Sequence, residues 1–307
     1  MITMFNTMTP PVLPRSRRRP PIIAALFLLA ASLVVAGCSA VKLGYGQGAG
    51  LAFTWLDDWV DFDDAQSLRV REGLDDWFAW HRRTQLRDYA ELLTQAEADI
   101  LEPTTAERAC RWSEELRRRL EPAIEKALPT LVEVAVTLKP TQIATIEKKV
   151  ARRNAEYRDD FMQPDPARRQ RAQVKRNVER AEKLYGRLDA SQRELVARWS
   201  AGSPFDPEVS LAEQRLRQQD AVQVLRQVSV GPTPAAEAEK AVRGYLERLD
   251  RSPREAYRRY VEGLKAYNCR YAAALHNSSS AAQRRAAATT LQGYRSDLRE
   301  LAAAAAS

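Results

Sequence analysis

Three cysteines and two histidines are the residues of this 307-residue sequence best suited to covalent or metal chemistry. Cys38 stands in "LVVAGCSA", behind the apolar run Ile22–Val35 and the cations Arg15, Arg17, Arg18 and Arg19. Cys110 and Cys269 lie far from it and from each other, and His81 and His276 sit in helix-forming surroundings. A thiol acts as nucleophile or ligand only while it is free. What each cysteine is bonded to therefore decides what chemistry is left.

A cationic segment, a short apolar run and small residues before a cleavage point define a secretory signal. The run also falls short of the ~20 apolar residues that span a bilayer. Val35-Ala36-Gly37-Cys38 resembles the lipobox of bacterial lipoproteins. That resemblance implies removal of residues 1–37, a diacylglyceryl group on the Cys38 sulfur and acylation of the new amino end. One acyl chain binds a membrane marginally, and two or more hold firmly. Ser39 follows the cysteine where an inner-membrane lipoprotein has Asp, which points to the outer membrane and a periplasm-facing protein. Prolines follow the arginine run, so a twin-arginine signal is not expected.

With Cys38 consumed, Cys110 and Cys269 form an even pair in an oxidising compartment, the pattern of a disulfide; two buried thiols are the alternative. Ala266, Cys269, Ala273 and His276 share one helical face of mostly small residues, which lets another helix approach. The bond needs Cα atoms within ~7 Å of each other. Closing so long a loop would stabilise the fold by roughly 5 kcal/mol on the chain-entropy account. No short-spaced ligand pair accompanies these cysteines, so no metal site is expected. His81, in "FAWHRR", lies among aromatic residues and is expected to be packed. No nucleophile elbow, phosphate loop, zinc motif or calcium loop occurs, so no catalytic residue, cofactor or enzymatic activity is expected.

Charge points the same way. Four of the 48 basic residues and none of the 40 acidic ones fall in residues 1–37, so removing them lowers the net charge from +8 to +4. That is no nucleic-acid footprint, and the expected compartment holds little nucleic acid. Within it, Arg169, Arg176, Arg180, Lys183 and Arg187 line one side of a helical wheel opposite Val174, Val178 and Tyr185. Such a ridge is by default a solvated face. In the envelope it could also meet an anionic partner, a phosphate-bearing headgroup or an acidic protein.

The elements that position these residues are helices. Ala, Arg, Leu, Glu and Gln dominate, all strong helix formers, and "LVEVAVTL" (131–138), between Pro129 and Pro140, is the lone β-leaning run. Four of the twelve glycines fall at 44, 46, 48 and 50, which predicts a flexible tether over 38–50. A short amphipathic helix is expected over 51–62 and a long one from about 64 to 100. Their tryptophans suit either the membrane interface, where Trp is favoured, or core packing; core packing is the expectation, because five aspartates that an anionic surface would repel interleave them. "LEPTTAE", "LKPTQ", "LDASQ", "LDRSPRE" and "SSSAAQ" are helix starts with capping residues. "LDASQ" and "LDRSPRE" resemble the LTxxQ element of small periplasmic chaperones, yet no fixed period joins them, and ordinary capping accounts for both. Apolar faces recur at three- and four-residue spacing, among them Ile143, Ile146 and Val150, and the stripe Tyr257, Tyr260, Leu264, Tyr267 and Tyr271. "GPTP" (231–234) is the candidate loose linker. The expectation is an all-α, elongated bundle of roughly eight to ten helices, a single domain over 51–307.

"CSAVKLGYGQ" together with "WLDDWVDFDDAQSLRVREGLDDWFAWHRRTQLRDYAELL" resembles a family of bacterial lipoproteins known only as a domain of unknown function, number 6279. "VKRNVERAEKLYGRLDASQRELV", "SPFDPEVSLAEQRLRQQD" and "YNCRYAAALHNSSSAAQRRAAATTLQGYRSDLREL" are similar too. The resemblance implies an anchored helical lipoprotein with Cys110 and Cys269 paired, and supplies no catalytic residue; the glycine-rich tether departs from the pattern. The function expected is binding, as an envelope scaffold or chaperone-like module. The alternative is a structural accessory subunit of an envelope complex.

Overall fold

The computed structural model describes residues 40–304. Among them are twelve α-helices and no strand. In chain order they are α1 (Ala40–Gly46), α2 (Gly48–Val60), α3 (Asp64–Thr84), α4 (Leu86–Asp99), α5 (Ala106–Ala135) and α6 (Pro140–Phe161). There follow α7 (Pro166–Tyr185), α8 (Ala190–Ala201), α9 (Pro207–Ser229), α10 (Ala235–Asp250), α11 (Glu255–Asn277) and α12 (Ala281–Ala303).

Two apolar cores organise the bundle. Leu128, Val132 and Ala135 of α5 bury against Val224 and Val228 of α9 and Ala238 and Val242 of α10. Leu138, Ile143 and Val222 extend this first core toward α6. The second core joins Val178, Ala181 and Tyr185 of α7 to Val196 of α8, Leu275 of α11 and Ala287 of α12. Leu188, in the turn before α8, seals it. The 30-residue α5 packs on α10 and on α11, and so links the two cores.

Each core carries the same junction. At α3 the Asp63 carboxylate accepts the Gln66 N–H at 3.0 Å, and Gln66 Oε1 accepts the Asp63 N–H at 3.1 Å. The glutamine at the third helical position thus returns the cap's hydrogen bond, leaving two terminal donors satisfied. Gln142 on α6, Gln192 on α8 and Gln283 on α12 likewise accept the N–H of Lys139, Asp189 and Ser280. The four amides then pair across helices, Gln66 with Gln142 and Gln192 with Gln283. Each also donates to the carbonyl two residues before its partner's cap: Gln66 to Thr137, Gln142 to Asp61, Gln192 to Ser278 and Gln283 to Arg187.

Three local expectations are corrected. The glycine-rich segment is helical from residue 40, because tertiary bonds offset glycine's helix penalty of ~1 kcal/mol. Lys42 pairs with Glu300 at 2.6 Å, and the Tyr45 hydroxyl meets His81 at 2.8 Å. A Cβ on Gly48 would collide with the Phe78 ring, so that glycine lets α2 lie on α3. The expected 64–100 helix breaks at Gln85, where Thr84 Oγ1 donates back to the Trp80 carbonyl, a contact that bends helices. Pro129 lies inside α5, as does Pro122, and the helix continues because its apolar face is buried in the first core. Beside Pro122, the carbonyls of Arg119 and Ala123 accept hydrogen bonds from the Tyr89 hydroxyl and Trp77 Nε1, at 3.0 and 2.8 Å. Residues 230–234 form the turn between the packed helices α9 and α10.

Candidate functional site

Cys110 on α5 and Cys269 on α11 form a disulfide with a Cα separation of 5.3 Å. Ala273 and His276, of the face predicted from spacing, are buried with Cys269. Lys265–Glu114 at 3.1 Å continues the same antiparallel contact, and Arg117–Asp250 at 3.2 Å ties α5 to the end of α10. Cys38 lies outside the described residues.

Both histidines are buried and face a tyrosine. His81 Nδ1 is 2.8 Å from the Tyr45 hydroxyl, and its ring stacks on Trp77 at 4.6 Å. Burial pushes its pKa down to about 4. His276 Nδ1 is 2.9 Å from the Tyr185 hydroxyl and Nε2 is 2.7 Å from the Glu102 carbonyl. Since that carbonyl can only accept, Nε2 carries the proton and Nδ1 accepts from Tyr185. Burial lowers the pKa of His276 as well. Both ring nitrogens of His276 are thus engaged, whereas His81 is held through Nδ1 and the Trp77 stack. Among the described residues no group of His, Cys, Asp and Glu side chains is arranged to hold a metal.

Four of the five predicted ridge residues lie on α7 and divide in two; Arg187 falls beyond the helix end at Tyr185, after Gly186 turns the chain with a φ of 72°. Arg169 donates to the carbonyls of Gln163 and Pro164, and Arg176 lies 4.5 Å over the Phe161 ring. Both are drawn back onto the α6–α7 turn, and burial lowers the pKa of Arg176. Arg180, Lys183 and Arg187 are exposed, and none has a carboxylate partner among the described residues. The neighbouring acids are engaged elsewhere: Glu182 pairs with Arg193 at 2.6 Å and Glu179 with Lys175 at 3.9 Å. The wheel placed all five on one side, but it could not show the turn that recruits two of them.

The N-terminal aromatics divide as well. Trp77, Phe78 and Trp80 pack with His81 into a ring cluster, as expected. Leu51 and Trp55 on α2 stay out of it, 57% and 50% exposed, and Trp55 contacts Trp59 at 5.9 Å between ring centroids. Their face points away from Phe53, which is buried under Arg71. Two shallow grooves of about 270 and 450 Å³ lie between α4 and α12, lined by Arg87 and Arg299 and by Leu101 and Arg285 respectively.

Sequence reasoning missed Glu213, a buried carboxylate on α9. Arg254 holds it with two bonds of 2.6 and 2.8 Å, and Arg217 adds one of 2.9 Å. Nothing in "SLAEQRLRQQD" separates Glu213 from an exposed glutamate except its position on the inner face of α9.

These features define the class: an all-α multi-helix bundle, closed by one long-range disulfide and two paired capping junctions. The chain belongs to the family of unknown function DUF6279, whose model matches residues 58–238. No curated protein and no solved structure matches it.

Proposed function

We propose that the protein is a lipoprotein anchored through acylated Cys38 to the outer membrane and facing the periplasm, where it works by binding. The anchor is supported by the lipobox and by the cationic segment and apolar run before it. No helix among the described residues is long and apolar enough to cross a membrane. The observation that carries the binding reading is the cationic triad Arg180, Lys183 and Arg187. Arg180 and Lys183 on the last turns of α7 and Arg187 just past its end have no carboxylate partner among the described residues, while the acids around them are taken by other cations. The partner that fits is an anionic, phosphate-bearing envelope component, since each cation near such a surface contributes on the order of 1 kcal/mol.

Two measurements test this. In expressing cells, Cys38→Ala abolishes incorporation of labelled palmitate and releases the chain from the membrane fraction; unchanged retention and mass would sink the anchor. In detergent solution, the wild-type chain captures lipopolysaccharide in a salt-sensitive manner. The triple variant Arg180→Glu/Lys183→Glu/Arg187→Glu loses that capture while keeping its melting temperature. Equal capture by both would remove the triad from the function. A single stoichiometric protein co-purifying after gentle extraction would favour an accessory subunit of an envelope complex instead.

A further inference from the structure

We infer that the outward face of α2, carrying Leu51 and Trp55, lies in the lipid–water interface of the membrane that holds the chain. This rests on the anchored reading above. The two side chains are four residues apart, one above the other on the helix, and expose about half their surface or more. Trp59 stands on the next turn beside Trp55.

The occupant follows from where the chain outside the described residues ends. It joins α1 at Ala40, and on the anchored reading it carries the acylated Cys38 two residues earlier. Ala40 and Leu51 are only roughly 16 Å apart along a helix at 1.5 Å per residue, and Cys38 precedes Ala40 by two residues in sequence. Moreover, α1 has no slack: Lys42 fixes it to Glu300 on α12, and Tyr45 fixes it to His81 on α3. An anchor at Cys38 therefore brings α2 to the bilayer surface in one orientation rather than on a loose leash. Tryptophan is favoured at that depth, and an apolar helix face inserts there.

The aspartates beside this face do not oppose it. Asp58 pairs with Lys149 at 2.9 Å and Asp63 with Lys139 at 2.8 Å. Asp57 accepts the Phe62 N–H at 3.0 Å. The charges of Asp58 and Asp63 are thus answered by lysines of α6 and its cap, and Asp61 and Asp64 lie beyond the end of α2 at Val60, away from Leu51 and Trp55.

The test uses the full-length chain, purified from membranes and reconstituted into vesicles of phosphatidylethanolamine and phosphatidylglycerol. Trp55→Cys and, separately, Leu51→Cys carry a nitroxide label, with Leu216→Cys on exposed α9 as the water-facing reference. Cys110 and Cys269 are already joined, so the label reports on the introduced thiol. At 51 and 55 the ratio of collisions with oxygen to collisions with an aqueous nickel chelate should exceed that at 216 several-fold. Labels at both positions as open to the chelate as at 216, in a chain retained on the vesicles, overturn the inference and leave the anchor standing. The face would then belong to a protein partner. A chain that does not sediment with the vesicles overturns both.

Discussion

Gln66 and Gln142 each donate a side-chain amide to the other's oxygen, at 3.2 and 2.6 Å. Each oxygen also closes the start of its own helix, so one amide both caps a helix and clasps another. Gln192 and Gln283 do the same in the second half of the chain. A buried donor or acceptor left unpaired costs ~1–3 kcal/mol. Gln142→Ala should therefore lower the urea midpoint with little change in slope. Gln66→Ala/Gln142→Ala should cost clearly less than the two single variants together, because the shared bonds can be lost only once. Additive losses would mean that the two amides act independently.

The disulfide joins residues 159 apart in sequence. On the chain-entropy account such a loop is worth about 5 kcal/mol, an upper value if the reduced chain keeps structure. The mature, oxidised protein should show no free thiol after denaturation. Adding a reductant should move the urea midpoint down sharply. Two titratable thiols in the oxidised protein would contradict the pairing.

Glu213 couples α9 to Arg254 at the entry of α11 and to Arg217 one turn on. Burial alone would raise its pKa, but hydrogen bonds from Arg254, Arg217 and Ser252 outweigh that and hold it below the ordinary carboxylate value. A lowered folded pKa gives stability that is present above the unfolded value of 4.5 and is lost as pH falls below it. Arg254→Met strips the carboxylate of its main partner. Breaking a buried pair costs ~3–5 kcal/mol, and partial solvation of Arg254 puts this case at the low end. Thermal melts at pH 7 should show that loss, and Glu213→Gln should lose less.

The histidines act in a higher pH window. Their folded pKa values lie below the unfolded value of 6.5, that of His81 at about 4. The unfolded chain therefore binds protons first, so stability is complete above about pH 6.5 and declines as pH falls toward 4. The melting temperature should drop between pH 7.5 and 5, before the carboxylates titrate. His81→Phe should flatten that drop; an unchanged slope would clear His81 of the effect.

The helices were legible because their signals are local. Caps such as Asp189 and Ser280, with a glutamine three residues on, mark helix starts directly. The small-residue face of α11 was legible in part: Cys269, Ala273 and His276 are buried as a helix contact requires, while Ala266 stays exposed. What escaped were matters of partnership. That Gln66 would find Gln142, or Gln192 find Gln283, depends on two helix starts meeting in space, and no sequence spacing encodes that. The glycine-rich stretch misled for the same reason: its composition favours an open chain, while Lys42 and Tyr45 hold it to α12 and α3. Arg169 and Arg176 left the ridge because the carbonyls and ring of the α6–α7 turn lie within their reach.

The bond between Cys110 and Cys269 closes a covalent ring around most of the molecule. Every surface turn from 136 to 254 lies inside it. A protease that cuts any of these turns opens the ring but frees no fragment, since both new ends remain tied through sulfur to the rest of the chain. Cleavage there would show on a gel only after reduction, and a nicked protein would keep all its parts together. Damage becomes loss when a second cut falls inside the ring, when a cut falls outside it, or when the bond itself is reduced.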